Sequence, residues 1–93
     1  MTTQVRAFHI LVKSEDDARK IMKRLNDGEE FAKVARRFSS CPSGKNGGDL
    51  GWFGKGQMAP EFEQAAFAAD VGKAIGPIKT QFGYHVIKVA GKK

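Results

Sequence analysis

Two histidines, His9 and His85, and one cysteine, Cys41, are the side chains of this sequence best suited to nucleophilic, metal-ligating or proton-sharing chemistry. A structural zinc site normally takes four Cys or His ligands, so three such residues predict no metal. A thiol nucleophile with an imidazole base needs only one of each, and Asp49 offers a carboxylate to orient the base. Spacing leaves that arrangement open. It equally leaves open a quieter one, with Cys41 packed as a small apolar residue and both histidines hydrogen-bonded in the core. The stretch from Ser39 to Gly56 carries glycines at 44, 47, 48, 51, 54 and 56. A phosphate cradle of the G-x-x-x-x-G-K-[ST] kind is excluded, because Gly54-Lys55 runs into Gly56 and position 49 is Asp. Turns that present Leu50, Trp52 and Phe53 are the better use of these glycines.

The elements that must position these residues follow from hydrophobic periodicity. Val5 to Lys13 alternates as a strand, with Ala7, His9 and Leu11 on one face and Phe8, Ile10 and Val12 on the other. Ser14 with Asp17 makes a capping-box-like start to a helix over about residues 15 to 26, whose Ala18, Ile21, Met22 and Leu25 share a face before Gly28. A second helix carries Phe31, Val34, Ala35 and Phe38, and a short strand runs from about Asp49 to Phe53. Pro60 suits the first turn of a third helix with Phe62, Ala65, Ala66 and Ala69. Two closing strands, Ile75 to Thr80 and Tyr84 to Val89, flank a turn at Gln81-Phe82-Gly83. The order β-α-α-β-α-β-β predicts an α+β domain with helices packed on a small, mostly antiparallel sheet. His85 falls on the last strand and His9 on the first, so the two imidazoles are placed to meet across neighbours.

With 93 residues, 41% of them hydrophobic and 28% charged, the chain suits one domain over residues 1–93. No apolar run approaches the roughly 20 residues of a membrane-spanning helix, and the N-terminus lacks the pattern of a secretory signal. With a lone cysteine, these features set the expectation of a soluble cytoplasmic protein. The net charge of +6 raises nucleic acid as a partner. Against it, Lys20, Lys23, Arg24, Lys33, Arg36 and Arg37 are interleaved with Glu15, Asp16, Asp17, Glu29 and Glu30, which is the pattern of a solvated helix surface.

Taken together, His9-Ile10-Leu11-Val12-Lys13, Cys41, Gly47-Gly48-Asp49-Leu50-Gly51-Trp52-Phe53, Gly56-Gln57-Met58 and Pro60-Glu61-Phe62-Glu63 form an ordered series. Ala66-Phe67, Val71-Gly72, Gly76-Pro77 and Phe82-Gly83-Tyr84-His85-Val86-Ile87 continue it. The series resembles the parvulin family of peptidyl-prolyl cis-trans isomerases over about residues 6 to 89. The resemblance implies the parvulin version of the FKBP-like superfold, a four-stranded antiparallel sheet surrounded by helices, in agreement with the patterning. It implies catalysis of X-Pro bond rotation without a cofactor. Leu50, Met58 and Phe62 match the apolar pocket for the proline ring, and His9, Cys41, Thr80 and His85 match the polar group beside the rotating bond. Gln81 and Phe82 are expected to shape the rim.

Phosphorylation-dependent parvulins carry a long basic loop between the first strand and first helix. Here Lys13-Ser14 leads straight to Glu15, Asp16 and Asp17, so the expectation is an apolar or uncharged residue before proline. The expected partners are proline-containing peptides and unfolded or folding proteins, with no membrane and with the chain a monomer. A non-catalytic peptide-binding or chaperone module of the same fold and a basic nucleic-acid-binding protein are the alternatives.

Overall fold

The computed structural model describes residues 2–93. Its elements are β1 (Gln4–Val12), α1 (Glu15–Asn26), α2 (Phe31–Phe38), β2 (Asp49–Gly54), α3 (Pro60–Ala68), β3 (Ala74–Thr80) and β4 (Gly83–Lys92). The four strands make one sheet in the order β2-β1-β4-β3, and every neighbouring pair is antiparallel. The α+β architecture predicted above is the one observed.

β1 and β4 lie in the middle of the sheet, and their alternation feeds two separate cores. Val5, Ala7, Ile87 and Val89 pack with Phe53 and with Phe62, Ala66 and Ala69 of the α3 segment. Ile10, Val12 and Val86 pack on the opposite face with Ala18 and Ile21 of α1 and Phe31, Val34 and Ala35 of α2. A strand buried on both sides cannot slip by one residue without exchanging its two apolar sets, so the register of β1 is firmly specified. That register places His9 opposite Ile87 and His85 opposite Leu11. Both histidines therefore project from the α3 face as diagonal neighbours, within reach of aromatic-sized side chains.

The helices start as their sequences indicate. The Ser14 hydroxyl accepts from the Asp17 N–H at 3.1 Å, while Glu15, Asp16 and Asp17 complement the positive end of α1 and Lys23 and Arg24 its negative end. Pro60 occupies the first turn of α3, where its missing N–H costs nothing.

Two differences from the sequence reading affect the site. Residues Pro42–Asn46, expected only as turns, form a single 3-10 helix that begins at proline and closes on Gly47 in the left-handed region. β4 also continues past Val89 to Lys92, because Gly91 and Lys92 still pair with Arg6 and Val5. Those end residues carry no apolar alternation for a pattern to detect. Gly48 then brings the chain against β1: the His9 N–H donates to its carbonyl at 2.9 Å, and its φ is +87°. A Cβ at Gly48 would collide with the His9 carbonyl oxygen, so only glycine allows this approach.

Candidate active site

The two imidazoles meet as the strand parity requires. His9 Nδ1 lies 2.9 Å from His85 Nδ1, with the ring planes within 20° of parallel and 5.1 Å between centroids. Both are only 5% exposed. Phe62 stands edge-on to each ring, at 5.6 Å from His9 and 5.2 Å from His85.

Each outer nitrogen also has a partner. His85 Nε2 is 2.7 Å from Thr80 Oγ1, and Thr80 Oγ1 accepts from the Phe82 N–H at 3.2 Å. His9 Nε2 is 3.0 Å from Ser43 Oγ, which donates to Cys41 Sγ at 3.3 Å. All four ring nitrogens are thus engaged by protein atoms and offer no lone pair to a metal.

Proton counting orients this chain. If the Ser43 hydroxyl donates to sulfur, it must accept from His9 Nε2–H. His9 Nδ1 then accepts from His85 Nδ1–H, and His85 Nε2 accepts from the Thr80 hydroxyl. Every ring N–H and hydroxyl proton of the chain has an acceptor. The reverse direction would spend the weaker S–H as donor. It would also leave the buried Thr80 hydroxyl proton without an acceptor among the described residues. The running order Phe82 N–H, Thr80, His85, His9, Ser43, Cys41 is therefore assigned, with one proton on each imidazole.

Neutral imidazoles are also what burial demands. Loss of hydration, with the proximity of His85 as the smaller cause, pushes the His9 imidazole down to about 4. Burial lowers His85 as well.

An apolar cleft of about 390 Å³ opens over the pair, lined by Leu11, Ser40, Cys41, Pro42, Leu50, Met58, Ala59, Phe62 and Phe82 with the two histidines. A larger depression of about 510 Å³ beside α1 is rimmed by Lys20, Lys23, Arg24, Asp17, Asp27 and Glu29 and holds no imidazole. The apolar cleft, with convergent polar groups at its floor, is the better ligand site. Cys41 reaches it because Ser39 Oγ accepts both from the Leu11 N–H at 3.1 Å and from the Cys41 N–H at 3.3 Å.

His9, Cys41, Leu50, Met58, Phe62, Phe82 and His85 thus gather around one cleft. Thr80 lies behind it, buried and bonded to His85. Gln81, expected at the rim, is exposed on the β3–β4 turn and outside the lining, because the turn points Phe82 toward the cleft instead. Ser43 escaped the sequence reading; only the 3-10 helix folds it back toward His9.

The thiol-triad arrangement fails on geometry. Asp49 is held by Arg6 at 2.8 Å and by the Gly51 N–H at 2.8 Å, and that hydrogen bonding keeps its carboxyl below the usual carboxylate range. Cys41 bonds Ser43 rather than an imidazole. The orienting acid and the nucleophile–base contact of such a triad are both spent elsewhere.

A four-stranded antiparallel sheet with helices on both faces, and a neutral histidine pair beneath an apolar peptide-sized cleft, define a parvulin-type domain. The sequence profile of the rotamase family, described as the PPIC-type PPIase domain, matches residues 9–91. The chain belongs to this family of peptidyl-prolyl cis-trans isomerase domains.

It is 53% identical over 91 residues to the foldase protein PrsA of Geobacillus sp. (strain WCH70), covering 97% of this chain and 33% of that protein. It superposes on the crystal structure of PrsA from Bacillus anthracis with a TM-score of 0.96 and 42% identity, covering 99% of this chain and 43% of that one. It superposes on the solution structure of NmPin, the parvulin of Nitrosopumilus maritimus, with a TM-score of 0.87 and 43% identity, covering 98% and 99% of the two chains. The chain spans about a third of the length of the curated relatives it matches.

The neutral pair has a consequence for stability. Unfolded His9 takes its proton near pH 6.5, whereas the folded residue takes it only near 4, so the unfolded state binds more protons between these values. The contribution is complete above pH 6.5 and is lost as pH falls toward 4. Urea denaturation is expected to show about 2 kcal/mol lost between pH 8 and pH 5, a window above the titration of Asp49. Stability that stays flat from pH 8 to 5 would contradict buried neutral imidazoles.

Proposed function

We propose that this chain catalyses cis-trans isomerisation of X-Pro peptide bonds in unfolded and folding proteins, with the proline ring seated against Leu50, Met58 and Phe62. The observation that carries this reading is an apolar cleft set directly over a neutral, fully bonded histidine pair. Rotation about a peptide C–N bond breaks no covalent bond; its barrier of about 20 kcal/mol is the lost amide resonance. An acceleration of roughly 10⁵-fold asks for only about 7 kcal/mol of differential binding.

In this reading the planar amide is the more dipolar form, and a water-excluding cleft without an ionised group favours the twisted one. Because the Cys41 sulfur accepts from Ser43, its own S–H is free to face the substrate, next to the twisting carbonyl or the proline nitrogen. Phe82, 66% exposed, closes over the ring from the rim. Thr80 and Ser43 fix the imidazoles and touch the substrate only through them. The foldase relatives support a role in folding. A cytoplasmic location, which suits the free Cys41 thiol, and a monomeric state belong to the same reading.

Phe62 is 3% exposed and packs on Phe53, so truncating it empties core as well as cleft. Met58 is half-buried and gives the cleaner test. In a protease-coupled assay the wild-type chain is expected to isomerise a Leu-Pro peptide without added metal or nucleotide. Met58→Ala is expected to lose about ten-fold in kcat/KM while its unfolding free energy changes by less than about 1 kcal/mol. An inert wild-type chain sinks the proposal, and so does an unaltered kcat/KM in the variant.

Specificity before proline follows from the exposed Glu15, Asp16 and Asp17, which occupy the helix end that would otherwise attract phosphate. Phosphoserine there is expected to give a lower kcat/KM than leucine, with the gap narrowing as salt rises. A phosphoserine preference at low ionic strength would reverse this assignment.

A further inference from the structure

Leu50 reaches the cleft from β2 and Phe62 from α3, but Met58 and Ala59 stand on residues 55–59, which belong to neither element. No strand ladder holds this loop. Two side chains do so instead: Gln57 Oε1 accepts from the Gly54 N–H at 3.3 Å, and Glu63 Oε1 accepts from the Gly56 N–H at 2.5 Å.

Glu63 acts twice, since its own N–H donates to the Ala59 carbonyl at 2.9 Å. One residue therefore grips the chain on both sides of Met58. Ala59, the residue before α3, has no side-chain cap to offer, and no other side chain among the described residues bonds the Gly56 N–H. Gly56 sits at φ +89° with open space around it. Its conformation is left to the hydrogen bond rather than to packing.

We infer that Glu63 is a positioning residue: its carboxylate and its N–H, bonded at Gly56 and Ala59, set the Met58 wall against which the substrate proline packs. This rests on the isomerase reading above. Glu63 is outside the cleft lining and acts only through the loop. Its loss lets Met58 drift while leaving the histidine pair and Cys41 in place. Substrate binding then suffers and the rotation step does not.

Steady-state kinetics on the Leu-Pro peptide test this. Glu63→Ala is expected to raise KM about five-fold with kcat within about two-fold of wild type. Glu63→Gln keeps a side-chain acceptor for the Gly56 N–H and is expected to restore KM to within about two-fold. Glu63→Asp, shorter by one methylene, keeps the charge at the helix end and is expected to resemble Glu63→Ala; it serves if the alanine variant folds poorly. In a Met58→Ala background the Glu63→Ala change is expected to add almost nothing, because the wall it positions is already gone. An unchanged KM in Glu63→Ala, failure of Glu63→Gln to rescue, or additivity with Met58→Ala would each overturn the inference. Amide exchange at Gly56 gives a readout independent of turnover: the wild-type N–H is expected to be protected and the Glu63→Ala N–H to be at least about ten-fold faster. Equal exchange overturns the clamp even if the wild-type chain proves inert toward X-Pro peptides, a result that would bear on the proposed function alone.

Discussion

Two imidazoles buried side by side in an apolar interior must both stay neutral and must divide two protons among four nitrogens without leaving any of them bare. Much of the architecture answers that demand. The register of β1 on β4 sets the pair in contact. The end of β3 and the turn after it bring a hydroxyl and a backbone N–H to one end, and the 3-10 helix after α2 with the residue before it brings Ser43 and Cys41 to the other. Hydrogen bonds in such a low-dielectric chain polarise one another, so the pair is held more firmly than separate bonds would hold it. The edge of Phe62 against both rings completes the enclosure and joins the network to the α3 core.

From this constraint the character of the cleft follows. Ionised groups are kept off its lining: Asp49 is neutralised by Arg6 outside it, and the cations of α1 and α2 lie on the opposite face of the sheet. What remains is an apolar recess with an uncharged polar floor, suited to a proline ring and to a carbonyl whose dipole shrinks on twisting. The foldase PrsA proteins and the parvulin NmPin share this domain at 42–53% identity. Rotation needs shape and a quiet field more than it needs a reactive group.

The fold was legible because its elements are strongly periodic. The parity of Ala7, His9 and Leu11 placed His9 on a defined face, and the same parity in Tyr84 to Val89 placed His85 there too. Pairing of the two histidines could thus be anticipated, but their partners could not. Ser43 lies in a stretch whose composition reads only as turns, and the 3-10 helix that folds it toward His9 depends on tertiary contacts such as Ser40 N–H to the Leu11 carbonyl at 2.7 Å. Gln81 and Phe82 are adjacent in a turn, where sequence carries no rule for which of them faces inward. The extra length of β4 was equally silent, since Ala90, Gly91 and Lys92 owe their strand geometry to β1 and not to their own propensities.

His9 and His85 are both neutral and share a single directed proton between their Nδ1 atoms. Long-range ¹⁵N–¹H correlation of the imidazole nitrogens at pH 7 tests it most directly. Two neutral rings of opposite tautomer are expected, with the proton on Nε2 of His9 and on Nδ1 of His85. An imidazolium signature from either ring, or both protons on the outer nitrogens, would contradict it.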